Sequence, residues 1–289
     1  MELLKSKKIV IFDGGMGTQL VLRGAPPGGA SNFAAPETVV EVQRAYVEAG
    51  ADAIITNTFC MCAPYMEKNG VEGGVAAVNR AGAELARKAA GGGVAVLGDI
   101  GPTGLMLPPV GTATEEELYE AFVEQARALA DGGVDAFIVE TMMDVREAAC
   151  AVRACREVSR LSVVASVTYA TAKDGGRTMM GDRAADCAVE LRKAGADVVG
   201  SNCGNLDPAE MAVVVESYKA AVQLPVLAQP NAGKPRLNER GETVYDMSPE
   251  DFAEGVAKCI DAGATLIGGC CGTTPEHIRA LVKMAAARG

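Results

Sequence analysis

Lys193-Ala-Gly-Ala-Asp-Val-Val-Gly-Ser-Asn-Cys203 reads as the end of a helix, a glycine, and a buried strand that stops at a thiol. Gly195 stands just past the helical pattern, where the chain needs a left-handed residue and a missing Cβ removes the clash. The pair Val198-Val199 then opens an apolar run of strand length. The same phrase ends two other helical patterns, Glu48-Ala-Gly-Ala-Asp52 and Asp261-Ala-Gly-Ala264, and Asp131-Gly-Gly-Val-Asp135 is a near variant. Each is followed at once by another apolar run. The phrase is structural in origin and orients the strands: each leaves a helix C-terminus and carries its last residues to the opposite end of the sheet.

Working outward from this stretch, eight apolar runs alternate with eight helical patterns. Runs at Lys8 to Asp13, Ala53 to Phe59, Val94 to Ile100, Ala136 to Glu140, Val163 to Tyr169, Asp197 to Cys203, Pro225 to Asn231 and Ala264 to Cys271 predict strands. Helices are predicted near 36–49, 74–90, 115–131, 144–158, 183–194, 208–222, 249–262 and 275–287, several opened by a proline in the first turn. This alternation selects a single (β/α)8 TIM barrel over a doubly wound sheet. No linker is long or biased enough to divide the chain. Residues 1–289 are therefore expected to form one barrel domain, a fold that typically takes about 250 residues.

Composition narrows the partners. With 49% hydrophobic and 22% charged residues the chain can bury a large core and is not disordered. A net charge of -10 argues against nucleic acid or an anionic membrane surface as the partner, and the absence of Trp weakens a base-stacking role. Met1-Glu-Leu-Leu-Lys-Ser-Lys-Lys8 is too polar for a signal peptide, and no apolar run reaches the ~18 residues of a membrane span, so a cytoplasmic location is expected. In a reducing compartment the nine cysteines are free thiols, core fillers or metal ligands rather than a disulfide framework. The helix faces carry no signal for an oligomeric state.

In barrels of this kind chemistry collects at the C-terminal ends of the strands. Those ends read Asp13, Asn57-Thr58, Asp99, Glu140, Tyr169, Asn202-Cys203, Asn231 and Cys270-Cys271. Cys203 and the Cys270-Cys271 pair converge on one side of the mouth. Three thiolates with room for a fourth ligand are the pattern of an open zinc site, and soft sulfur favours Zn²⁺ over Mg²⁺ or Ca²⁺. A cluster of free thiols and a redox pair are other readings of the same residues. Zinc with three thiolates carries a net charge of -1 and activates water poorly. It is suited to binding a substrate thiol and keeping it ionised, which implies alkyl transfer to sulfur. Cys150, Cys155, Cys187 and Cys259 fall inside helical patterns and read as fillers, whereas Cys60 and Cys62 follow the second strand on the rim. The only histidine, His277, sits at a predicted helix start and reads as a surface or capping residue.

With these residues assembled, the chain resembles the homocysteine S-methyltransferase family, most of all the homocysteine-binding module of cobalamin-dependent methionine synthase. The matching stretches run nearly end to end: Asp13-Gly-Gly-Met-Gly-Thr18, Ala51-Asp-Ala-Ile-Ile-Thr-Asn-Thr-Phe59, Gly98-Asp-Ile-Gly-Pro-Thr-Gly104, Glu140-Thr141, Gly200-Ser-Asn-Cys203, Gln229-Pro-Asn-Ala-Gly233 and Gly268-Gly-Cys-Cys-Gly-Thr273. The resemblance implies zinc on Cys203, Cys270 and Cys271 with homocysteine sulfur as the fourth ligand. It implies Asp13 and Glu140 on the substrate ammonium, and N–H groups of the turn formed by Gly14, Gly15, Gly17 and Thr18 on the carboxylate, an arrangement that suits an anion. Asn231 is expected to place an oxygen near the metal. Asn57, Thr58 and Asn202 are further candidates for substrate contact, against the alternative that they satisfy loop backbone.

The implied activity is methyl transfer to homocysteine, giving methionine. The expected donor is methylcobalamin on a separate corrinoid protein, because no cobalamin-binding module fits in the remaining length and the Asp-x-His-x-x-Gly loop is absent. A small sulfonium or ammonium donor, such as S-methylmethionine or a betaine, is the alternative within the enzyme class. A non-catalytic zinc- and thiol-binding subunit is the alternative outside it. Two rim loops depart from the family pattern: Gly176-Arg-Thr-Met-Met-Gly-Asp182, with Met180 and Asp182 in place of Ser and Gln, and Cys60-Met-Cys62-Ala-Pro64.

Overall fold

Gly50, Gly195 and Gly263 take φ values of 101°, 108° and 109°, so each helix-ending phrase turns the chain into the next strand as its glycine predicts. The computed structural model describes residues 7–288. Its strands are β1 (Val10–Ile11), β2 (Ala53–Ile55), β3 (Ala95–Ile100), β4 (Ala136–Met142), β5 (Ser162–Val167), β6 (Val198–Asn202), β7 (Val226–Gln229), β8 (Arg236–Leu237), β9 (Thr243–Val244) and β10 (Leu266–Ile267). Eight of them form one parallel sheet in the order β1-β10-β7-β6-β5-β4-β3-β2. A parallel bridge between Phe12 and Ala53 brings its two edges together. The result is a nearly closed (β/α)8 barrel, as expected.

The helices are α1 (Met16–Leu22), α2 (Ser31–Ala34), α3 (Pro36–Glu48), α4 (Ala63–Asn69), α5 (Val75–Ala90), α6 (Glu115–Asp131), α7 (Val145–Val158), α8 (Ala184–Ala194), α9 (Pro208–Ala221), α10 (Pro249–Asp261) and α11 (Pro275–Ala286). Capping fixes where several begin. Thr114 and Glu117 form a reciprocal box at α6, as do Asp207 and Glu210 at α9. In α5 the buried positions Val75, Val78, Gly82, Ala86 and Ala89 recur every three or four residues, which turns one face to the sheet. Among the described residues no helix is long and apolar enough to cross a membrane.

The aspartates of the helix-ending phrases have a second role. Asp52, Asp135 and Asp197 donate their backbone N–H to Ile11, Val96 and Val163 of the preceding strand, at 2.7, 2.8 and 2.9 Å. Each then accepts the N–H of that same residue on Oδ2, at 3.0, 2.8 and 2.8 Å. Lys7, Arg87 and Arg156 pair with the three carboxylates. At about 0.5–1.5 kcal/mol per hydrogen bond, these two-bond clamps pin the strand register at the end of the barrel remote from the mouth. At the fourth equivalent position Thr265 makes the backbone bond, to Val226 at 3.0 Å, while its buried Oγ1 has no partner.

Strand alternation explains where the chemistry starts. Leu97, Ile138, Val164, Val198, Leu227 and Leu266 belong to the cluster that fills the barrel lumen, while Phe137 and Val139 face the helices. Two residues further along the same strand faces stand Asp99, Glu140, Ser166, Gly200 and Gln229. The lumen thus changes from apolar to polar in one step as it opens.

Several ladders are shorter than the apolar runs, although β4 continues past Glu140 to Met142. The runs extended to Asp13, Phe59, Asn231 and Cys271, whereas the strands stop at Ile11, Ile55, Gln229 and Ile267. The residues beyond leave the sheet and bend over the mouth. Helices α1, α2 and α4 lie in connections read as loops, and β8 and β9 form an antiparallel hairpin in the polar excursion before α10.

Candidate metal centre and substrate cavity

The Sγ atoms of Cys203, Cys270 and Cys271 all lie within 4.8 Å of one another, and each residue is half-buried. Cys203 follows β6 in the left-handed conformation, φ 56°, with its N–H on the Gln229 carbonyl at 3.2 Å. Cys270 donates its N–H to the Pro230 carbonyl at 2.9 Å, and the Cys271 carbonyl accepts from Ala232 at 3.0 Å. The thiols are therefore set by the backbone after β6, β7 and β10. Hydrogen bonds from Cys203 and Cys270 hold the Cys271 thiol down to about 3. Cys203, favoured by Cys270 but disfavoured by Cys271 and by burial, is pushed up to about 12, and Cys270 is raised as the donor to both. A divalent cation bound between the three sulfurs would favour the thiolate form of each.

The glycine turn after β1 is locked against this centre. Gly15 N–H donates to Thr273 Oγ1 at 2.9 Å, and Thr273 Oγ1 donates to the Cys270 carbonyl at 2.7 Å. Tyr46, fully buried, donates to the carbonyls of Gly15 and Thr273. A Cβ on Gly15 would lie 2.6 Å from the Cys270 carbonyl oxygen, and one on Gly14 would lie 2.6 Å from Thr273 Oγ1. Glycine is required here for close approach. Tyr245, from the excursion after β7, closes the other side. Its hydroxyl interacts with the Cys271 sulfur, and its ring covers Gly272, where φ is 79° and a Cβ would come within 2.3 Å of the Tyr245 Cβ.

The thiols line one side of a cavity of about 440 Å³, and Asp13, Asp99 and Glu140 line it too. A register shift in β4 between Val139 and Met142 re-aims Glu140 and Thr141, a common use of a bulge beside a site. Thr141, β-branched yet at φ 59°, is held by Asn202: its N–H donates to Asn202 Oδ1 at 2.9 Å and its Oγ1 accepts from Asn202 Nδ2 at 2.7 Å. Burial raises all three carboxyls. Asp13 and Asp99 lie well above the usual carboxylate range, and Glu140 is pushed up to about 7, first by burial and then by the charge on Cys271.

This cluster opposes folding at neutral pH. The folded value of Glu140, about 7, lies above the unfolded carboxyl value of 4.5. Its contribution to stability is full below pH 4.5 and is lost as the pH rises through 7. The metal-free protein should melt at a lower temperature at pH 8 than at pH 6, and Glu140→Gln should reduce that difference. Melts of the variant that keep the full pH dependence would show that another group is responsible.

Of the residues expected at the site, Asp13, Gly14, Gly15, Gly17, Thr18, Asn57, Glu140, Cys203, Cys270 and Cys271 line the cavity. Thr58 and Asn202 sit behind the wall, fully buried, with Thr58 Oγ1 on the Asp99 carbonyl at 2.8 Å. Asn231 is buried, donates from Nδ2 to the Gly204 carbonyl at 3.0 Å, and leaves Oδ1 without a partner. Cys60 and Cys62 are buried, and it is their neighbours Phe59 and Met61 that face the cavity. His277 caps α11: Nδ1 accepts from Thr274 N–H at 3.2 Å, and Nε2 meets the Met247 carbonyl at 3.0 Å. Asp99 was placed on the rim without a role, and Gln229 and Tyr245 were not predicted as site residues. Strand parity signals the first two; nothing in the sequence signals Tyr245.

A (β/α)8 barrel whose mouth gathers three thiols and three carboxyls around one cavity has the architecture of a barrel enzyme, with its candidate site at the C-terminal ends of the strands. The homocysteine S-methyltransferase family model matches residues 10–285, and the chain belongs to that family. It is 33% identical over 295 residues to a methionine synthase of Mycobacterium tuberculosis, covering 95% of this chain and 24% of that protein. A methionine synthase of Mycobacterium leprae is 32% identical with the same coverage. The chain spans about a quarter of the length of these curated relatives. Among solved structures, the apo form of the homocysteine methyltransferase MmuM from Escherichia coli is 25% identical with a TM-score of 0.76, covering 98% of both chains. The metallated form of MmuM shares the fold at a TM-score of 0.80 and 24% identity, covering 100% of this chain and 99% of that one.

Proposed function

We propose that this chain methylates homocysteine to methionine, with zinc held by Cys203, Cys270 and Cys271 and with methylcobalamin on a separate corrinoid protein as donor. The observation that carries the reading is the joint presence, in one cavity, of three mutually close thiols and a carboxylate cluster. The donor set fits zinc: all three ligands are sulfur, and the orphaned, buried Asn231 Oδ1 supplies an uncommitted oxygen. Bound there, zinc would supply the charge that keeps a coordinated substrate thiol ionised at neutral pH.

The chain's own residues do the positioning. Asp13 and Glu140 take the substrate ammonium. Asp13 is already oriented through Oδ2, which accepts from Ile55 N–H at 2.8 Å, so Oδ1 is left for the ligand. The Gly15 N–H is committed to Thr273, so the substrate carboxylate falls to the N–H groups at the start of α1, which no side chain caps. The ends of β1 to β4 thus anchor the amino-acid end, and the sulfur reaches across the lumen towards the thiols after β6 and β10. Phe59, Met61, Tyr65 and Val71 form an apolar flank that limits water.

That flank also favours a second reading for the donor. The cavity has room beside an amino acid for a small sulfonium or ammonium compound, which would need no corrinoid partner. A donor screen at fixed homocysteine, with and without methylated corrinoid protein, decides between them. Methionine formed only with the corrinoid protein is the expected result, and rapid turnover with a small onium alone would reassign the donor. Sulfur K-edge and zinc K-edge absorption should show homocysteine adding a sulfur ligand; a metal shell indifferent to homocysteine would remove the catalytic reading.

A further inference from the structure

Asp99 is a buried acid that the assignments above leave without a task. It is 4% exposed, lines the cavity, and has an Oδ1 with no partner. Its backbone is held with unusual care. The Asp99 N–H donates to Thr56 Oγ1 at 2.9 Å, and its carbonyl accepts from Thr58 Oγ1 at 2.8 Å and from Gln125 Nε2 at 3.2 Å. Gln125, fully buried, also reaches the Thr58 carbonyl and Asn79 Oδ1. Three buried polar side chains therefore hold the Asp99 main chain, and none of them bonds its carboxyl group.

Its electrostatic neighbours are Glu140 and Asp13. Among the described residues no Lys, Arg or His lines the cavity. A buried carboxyl with no partner is costly to ionise and stays protonated until a cation reaches it, and in this cavity such a cation has to come with the ligand. A primary ammonium carries three N–H donors, and three carboxylates face this end of the lumen.

We infer that Asp99 is a third substrate-binding carboxylate, completing with Asp13 and Glu140 a cage for the three N–H groups of the substrate's α-ammonium, so that the site selects thiols bearing a free primary amine. This rests on the reading of the cavity as a homocysteine site. Asp99 contributes specificity, since an N-acylated or amine-free thiol cannot neutralise it.

The test is calorimetric titration of the zinc-loaded protein and its Asp99→Asn variant with homocysteine and with 4-sulfanylbutanoate, which has the same thiol and carboxylate but no amine. Asp99→Ser serves as a second variant, and thermal melts with chelator competition for zinc verify that fold and metal affinity are retained. Asp99→Asn should weaken homocysteine roughly 10- to 100-fold, the range for a hydrogen bond to a charged group, and leave 4-sulfanylbutanoate unchanged or tighter. Equal weakening of both thiols, or no weakening of homocysteine, overturns the inference while leaving the homocysteine reading intact. Failure of the unaltered protein to prefer homocysteine over the amine-free thiol overturns both.

Discussion

Cys203→Ala is expected to yield a folded protein that holds no zinc and transfers no methyl group. The residue is half-buried at a loop bend, and alanine can occupy its left-handed conformation at no greater cost than cysteine, so stability should change little. The metal affinity should collapse. Altering a group that only orients a ligand commonly costs 10- to 100-fold in metal binding, and removing one of three thiolates should exceed that range. Chelator competition and metal analysis on dialysed protein measure it directly. Stoichiometric zinc in the variant, or methyl transfer at an unaltered rate, would rule Cys203 out as a ligand. The same substitution at Cys150 or Cys259, buried in α7 and α10, should leave zinc untouched, which separates the site from the other thiols.

The second large effect is expected at a residue that does not line the cavity. Asn202 is fully buried, and its Oδ1 accepts from Thr141 N–H at 2.9 Å and from Ser166 Oγ at 2.6 Å. Its Nδ2 donates to Thr141 Oγ1 at 2.7 Å and lies 3.5 Å from Glu140 Oε2 and 3.8 Å from Cys270 Sγ. Asn202→Ala would orphan the Thr141 N–H and release a β-branched residue held at φ 59°. The Thr141 N–H and the Ser166 hydroxyl, both left unpaired, cost about 1–3 kcal/mol each, so a loss of roughly 3 kcal/mol is expected, lowering Tm by roughly 5–10 °C. Homocysteine binding should weaken in parallel, because Glu140 loses its support. A variant within 1 kcal/mol of the parent in denaturant titrations would show that Thr141 holds its own conformation.

The barrel was legible because its signals are local. A glycine after a helix and an apolar run after the glycine can each be read within ten residues, and their repetition carries the strand order. Cys203, Cys270 and Cys271 were legible for the same reason, since strand ends in this fold share one face. The strand lengths were not. Whether Phe59 or Asn231 stays in a ladder depends on a neighbouring strand far away in sequence, and both leave it to shape the mouth. Asn202 was a candidate either for substrate contact or for satisfying loop backbone; it accepts the Thr141 N–H from behind the wall, in packing against Ser166 and Thr141 that no periodicity encodes. Asp99 carried a readable signal, two residues beyond Leu97 on the lumen face, but a lone acid in an apolar run gives no charge pattern. Tyr245 lies in a polar stretch whose path is fixed only by tertiary contacts, among them the Met247 N–H on the Ala232 carbonyl at 3.2 Å.

The clamps at the closed end of the barrel divide the scaffold into quarters. Asp52, Asp135 and Asp197 tie β1 to β2, β3 to β4 and β5 to β6, while the pair β7 and β10 has Thr265 and lacks the side-chain bond. The three well-tied quarters present Asp13, Asp99, Glu140 and Cys203, and the loosely tied one presents Cys270 and Cys271. The residues proposed to hold the amino acid thus stand on strand pairs that carry the side-chain clamp, and two of the three thiols stand on the pair that lacks it. A scaffold so arranged can adjust the spacing of its sulfurs without disturbing the grip on the amino acid.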